Sequence, residues 1–172
     1  MLSLLALAAA AAAEPPKSVP TVVGGLEGCW NVPGKVGGKD ATSVAHGEWQ
    51  IGHLYFVLHL RSVAPGLPYE AAIIFGAERA GAPPELQKAG TIGSYWLDTF
   101  GGAGPVKTTG MATKSGFWVA YDYGDSIYTN RFDRIGKDWR WTIVEQEPGK
   151  PQKLFAEYRL TPTTCRKMDF SL

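Results

Sequence analysis

Apolar and polar residues alternate with period two along most of the chain, and turn residues interrupt the alternation at short intervals. The clearest run covers 47–63. Within it Leu54, Phe56, Leu58 and Leu60 share one face, and His53, Tyr55, Val57, His59 and Arg61 share the other. That pattern predicts a strand with one buried side. A turn with two prolines follows over 64–68, then a strand over 69–75, so 51–75 reads as a hairpin. Further strands are predicted over 26–33, 92–100, 106–112, 117–123, 126–134, 139–146 and 153–160. Turns rich in Gly, Pro, Asp and Lys separate most of them, as in PGKVGG, IGKD and PGKP. Only 76–90 breaks the rhythm. There PPELQKAG predicts a short helix or a lid loop near 83–90, with Pro84 in the first turn and Gly90 at the end.

About eight to ten short strands with local connections predict an all-β fold. The expected architecture is a single antiparallel up-and-down sheet curled into a barrel. Closure removes both sheet edges and buries one whole face. A fold built on long amphipathic helices does not fit, because no long helical period is present. No internal repeat or second domain is evident.

The first thirteen residues, MLSLLALAAAAAA, are apolar or small. They are too few to span a bilayer, and their small-residue end suits signal-peptidase cleavage. The domain reading is therefore a signal peptide over 1–13, a flexible leader over 14–25 and one barrel domain over 26–172. The expected location is the periplasm or the extracellular space, with no membrane span. In that setting the two cysteines, Cys29 and Cys165, are expected to pair. Such a bridge would close most of the domain, and loop-closure entropy assigns it roughly 4–5 kcal/mol.

Composition narrows the functional classes. The chain has 172 residues, 45% hydrophobic and 12% aromatic, which supports a folded core rather than disorder. Seventeen basic and sixteen acidic residues leave a net charge of +1, too little to neutralise a phosphate backbone. Nucleic acid is not an expected partner.

Gly28-Cys29-Trp30 resembles the Gly-x-Trp signature that opens lipocalins and other calycins. The resemblance covers the start of the fold and the turn pattern across 26–160. It implies a calycin-like barrel whose narrow end is closed by Trp30, with a basic side chain from near the end of the barrel packed across the indole. Arg159 is the first candidate for that role and Arg166 the second. The expected Cys29–Cys165 bridge is similar to the tail-to-barrel disulfides of some secreted members. The chain looks like a lipocalin-like secreted bacterial protein of an uncharacterised family.

The chemistry-bearing residues give no catalytic motif. His46, His53 and His59 are the only histidines. Six residues along one strand place His53 and His59 roughly 20 Å apart, too far to share a metal. Their face also carries Arg61 and reads as the solvent side. Glu48, Asp122, Asp125 and Asp133 read mainly as turn or surface carboxylates. No nucleophile elbow and no phosphate loop is present, so no catalytic residue, metal or cofactor is assigned. Asp98 differs, because it alternates with Trp96 and Phe100 and needs partners if that face turns inward.

Phe56, Trp96, Tyr121, Tyr128, Trp141 and Tyr158 are candidate inward groups. They either fill the barrel or line a pocket. The leading reading is a carrier in which Phe56, Trp96, Asp98, Tyr121, Tyr128 and Trp141 hold a small hydrophobic or amphipathic molecule, in a monomer or homodimer. One rival is an isomerase- or cyclase-type enzyme in the same cavity. It would need Asp98, Tyr121 or Tyr128 to converge about 3 Å from a substrate atom. A third reading is a filled barrel that meets a cell-envelope component through its outer face.

Overall fold

The structure is a computed structural model that describes residues 19–63, 68–77, 89–101 and 106–165. A short 3-10 helix, Val23–Leu26, leads into ten strands. These are β1 (Gly28–Val36), β2 (Lys39–Gln50), β3 (Tyr55–Ser62), β4 (Glu70–Gly76) and β5 (Gly93–Asp98). Then come β6 (Lys107–Ala112), β7 (Gly116–Asp122), β8 (Ile127–Ile135), β9 (Asp138–Gln146) and β10 (Lys153–Thr163). All neighbours pair antiparallel, and the spatial order is β5-β4-β3-β2-β1-β10-β9-β8-β7-β6. Each strand therefore sits beside its neighbour in sequence, except where β1 and β10 meet.

The sheet nearly closes between β5 and β6. Near the start of β5, Ile92 N–H donates to the Gly110 carbonyl at 2.9 Å, and Ala112 N–H donates to Gly90 at 2.8 Å. Further along, the Thr108 hydroxyl takes the place of a backbone acceptor and receives the Ser94 N–H at 3.3 Å. Among the described residues the seam is thus backbone-paired at one end only. Gly110 permits that pairing, since a Cβ there would lie 2.7 Å from the Trp118 carbonyl oxygen and 2.9 Å from that of Ile92. The expected all-β antiparallel barrel is what the structure shows.

Several elements differ from the sequence reading. The run over 47–63 is two strands, not one. It comprises the end of β2, a turn through Ile51, Gly52 and His53, and β3. His53 is therefore a turn residue rather than a partner of His59 on one strand. His46 instead stands directly opposite His59 across β2 and β3, and Glu48 lies 3.7 Å from the His59 ring. Burial lowers the His59 pKa, against the pull of Glu48. The first turn is also shorter than 33–38. It is Gly37-Gly38 alone, with φ of 55° and 79°, the left-handed pair that a two-residue hairpin requires. The helix or lid expected near 83–90 falls mostly on residues outside the described set, as does the segment 1–13. The leader expected over 14–25 is described only from Val19. There it is packed: Val19 and Val23 are buried, and the latter belongs to the 3-10 helix.

That helix closes one end of the barrel. Its Val23 and Leu26 are fully buried. Trp30 donates its indole N–H to the Leu26 carbonyl at 2.8 Å, and Trp139 donates to Gly25 at 3.1 Å. Two indoles thus satisfy carbonyls that so short a helix leaves unpaired. Trp30 is buried in the core, but Arg159 does not cover it. Arg159 ion-pairs with Asp138 at 2.6 Å, its own side chain largely exposed. The guanidinium over an indole at this end is Arg134, 5.3 Å from the Trp139 ring. The reason lies in strand parity. Tyr158 and Leu160 take the inward positions of β10, which turns Arg159 outward. Arg166 lies outside the described residues. The Cys29–Cys165 disulfide is present, with a Cα–Cα distance of 5.2 Å, and ties the segment after β10 to β1.

Candidate ligand-binding cavity

The two halves of the barrel interior are filled differently. Near the 3-10 helix the space is packed solid by aromatic rings. Phe117 stacks on Phe132 at 4.7 Å, and Phe75 meets both edge-on. Phe56 belongs to this half. It is fully buried beneath Trp49 and does not line the cavity, contrary to the ligand-contact reading. The alternation showed that Phe56 points inward; its height along the barrel axis decides that it is core.

The other half encloses an open-ended cavity of about 390 Å³. That volume lies within the range of small-molecule sites. The remaining five residues of the expected site, Trp96, Asp98, Tyr121, Tyr128 and Trp141, all border it. Strand alternation brings them there: Trp96 and Asp98 from β5, Tyr121 from β7, Tyr128 from β8 and Trp141 from β9. Trp96 is the centre of the aromatic wall. Its ring meets Tyr121 edge-on at 5.7 Å and lies 5.9 Å from Trp141. Trp141 in turn packs on Tyr158 at 4.9 Å and fixes its indole N–H on the Asn130 side-chain oxygen at 2.9 Å.

Asp98 is half-buried and well partnered. One carboxylate oxygen accepts the Trp96 indole N–H at 3.1 Å and the Tyr69 hydroxyl at 3.4 Å. The other accepts the Phe100 backbone N–H at 3.0 Å. Burial, with the Asp98 charge second, pushes the Tyr69 hydroxyl pKa well above its usual range. Tyr121 is raised by burial, partly offset by Ser94. The Ser94 hydroxyl donates to the Ile74 carbonyl at 2.9 Å and receives the Tyr121 O–H at 2.7 Å. Tyr158 is pushed up to about 12 by burial. Tyr128 also reaches about 12, chiefly because its hydroxyl donates to Glu145 at 2.7 Å. These phenols are neutral donors near pH 7. Asp98, Tyr121 and Tyr128, the three groups named for an enzyme, are each engaged with a different partner: Trp96 and Tyr69, Ser94, and Glu145.

Sequence reasoning missed several lining residues. Tyr69, Phe100 and Tyr123 stand toward the mouth, with Phe100 and Tyr123 exposed. The parity that placed Tyr121 inward also included Tyr123, and Asn130 sits between two inward positions of β8, so both were legible. Phe155 was not. A bulge between Leu154 and Ala156 turns Phe155 into the cavity and leaves Leu154 exposed, reversing the phase expected for the start of β10. Of seventeen lining residues nine are aromatic, and Asp98 alone carries a formal charge. None is His, Cys, Met, Lys or Arg, so the described lining offers no soft or imidazole ligand to a metal.

Together the closed end, the continuous sheet and the half-hollow interior define an all-β, nearly closed, ten-stranded calycin-like barrel. No family model matches the chain, and no curated protein matches it. Among solved structures the chain is similar to Rv2717c from M. tuberculosis, with a TM-score of 0.52 and 13% identity. The match covers 86% of this chain and 99% of that one, and at this identity it concerns the fold alone. Among the described residues no helix is long and apolar enough to cross a membrane.

Proposed function

We propose that the protein binds a small apolar or amphipathic molecule inside the barrel. The observation that carries this reading is the cavity of about 390 Å³ walled by Trp96, Tyr121, Trp141 and Tyr158. Apolar burial supplies the affinity, and Asp98 with the tyrosine hydroxyls orients the polar end. Phe100 and Tyr123 at the rim extend the apolar surface to the entrance.

The proposed setting is export to an oxidising compartment, as a lipocalin-like protein. The apolar leader of the sequence and the Cys29–Cys165 bridge support it. The test is an equilibrium titration with the neutral fluorophore N-phenyl-1-naphthylamine. The reading expects one saturable site per chain, with the probe displaced by 1-decanol. Absence of saturable binding overturns it.

A further inference from the structure

The cavity has an electrostatic sign. Among the described lining residues Asp98 alone carries a formal charge, and it is the last residue of β5. The other polar lining groups are neutral: the hydroxyls of Ser and Tyr, the amide of Asn130 and the indole N–H groups of Trp96 and Trp141. Lys39 and Lys107 begin their strands as exposed residues and are not among the lining groups. No cation is therefore available in the described lining to neutralise a ligand anion.

The aromatic wall has the same sign. Ring faces carry the negative end of the aromatic quadrupole and attract a positive charge within about 6 Å. Trp96, Tyr121, Trp141 and Tyr158 form a chain of rings with neighbouring centroids 4.9 to 5.9 Å apart. The Asp98 carboxylate accepts a hydrogen bond from the first of these rings at 3.1 Å. Several aromatic rings lining a largely apolar pocket beside one carboxylate give a favourable site for an organic cation. A carboxylate or phosphate ligand would meet the rings and Asp98 with no positive partner, at a desolvation cost. The hydroxyl of Tyr128, another lining residue, donates to the Glu145 carboxylate at 2.7 Å.

We infer that the ligand is an amphipathic cation, an amine or quaternary ammonium with an apolar body, and that Asp98 with the ring of Trp96 receives its charged head. This rests on the binding reading above and narrows its chemical class. The test is displacement of N-phenyl-1-naphthylamine by three decyl probes below their aggregation thresholds: decyltrimethylammonium, 1-decanol and decanoate. The inference expects half-displacement by the cation at a concentration at least tenfold below that for decanoate and severalfold below that for 1-decanol. It also expects Asp98→Asn to cut the cation-to-alcohol preference at least fivefold, and Asp98→Glu to retain it. Decanoate equal to or better than the cation, or no preference among the three, overturns the inference and leaves the apolar-binding reading standing. Failure of the fluorophore itself to bind overturns both. The wild-type ranking decides the matter whether or not the variants fold.

Discussion

The indole N–H of Trp96 donates to the carboxylate of Asp98, two positions along the same strand, at 3.1 Å. Residues two apart on a strand share a face, so β5 presents an aromatic ring and an anion to the same volume. The bond orients the indole, whose ring is then set against Tyr121 and Trp141. The polar spot of the cavity and its largest apolar surface are thus one unit.

The Ser94–Tyr121 bond gives a prediction about stability. Tyr121 is buried and donates to Ser94 at 2.7 Å. Ser94→Ala leaves that phenol without its acceptor, at an expected cost of about 1–3 kcal/mol. Adding Tyr121→Phe removes the orphaned group, so the double variant recovers part of the loss. Urea denaturation of the two single variants and the double variant measures the coupling directly.

Alkali should weaken the fold. Tyr69, Tyr121, Tyr128 and Tyr158 all have pKa values raised by folding, those of Tyr128 and Tyr158 to about 12. Above pH 10 the unfolded chain loses phenolic protons that the folded chain keeps, so stability falls as pH rises. The contribution is complete below pH 10 and is lost progressively as the pH rises through the folded values, first those of Tyr128 and Tyr158 near 12. Absorbance at 295 nm during a pH titration should show a late tyrosine phase coincident with loss of the barrel's near-ultraviolet circular dichroism. Separate, earlier titration of all seven tyrosines would contradict this.

The sequence made the fold more legible than the site. Strict alternation in β5, β7, β8 and β9 separates inside from outside, and Trp96, Tyr121, Tyr128 and Trp141 follow that alternation to the cavity wall. Alternation carries no information about height along the barrel, and so Phe56 was assigned to the cavity instead of the packed end. The β2–β3 turn was hidden because Ile51 and His53 are poor turn formers. Both adopt positive φ, 49° and 67°, beside the single turn signal Gly52. The Phe155 bulge left no residue-type trace, since an extra residue in one strand depends on the pairing of two. The resemblance at Gly28-Cys29-Trp30 identified a structural indole, but the outward parity of Arg159 gave the covering cation to Arg134 and a different indole.

Arg159 therefore has a testable structural role outside the barrel. It donates to the Asp138 carboxylate at 2.9 and 2.6 Å, and the other Asp138 oxygen is buried without a partner. Arg159→Ala should cost about 1–3 kcal/mol by stranding that carboxylate. Arg134→Ala, which removes a cation from an indole face, should cost about 0.5–1 kcal/mol. It should also shift the tryptophan emission more than Arg159→Ala does. Thermal unfolding with emission spectra compares the two.

The seam between β5 and β6 depends on Gly110. A side chain there would press on the carbonyls of Trp118 and Ile92. Gly110→Val should destabilise by at least about 1–3 kcal/mol. Amide exchange at Ile92 and Ala112, whose N–H groups close the seam, should accelerate more than at β1 or β10 amides.

Occupation of the hollow half is tested most directly by filling it. Ala41 lines the cavity from β2 and is partly buried, so Ala41→Trp introduces an indole where the bound molecule would lie. Titration of wild type and Ala41→Trp with N-phenyl-1-naphthylamine, each checked by circular dichroism for an intact barrel, should show saturable binding in the first. In the second, binding should weaken at least tenfold. Equal binding by two folded proteins would place the probe outside the barrel and contradict the account.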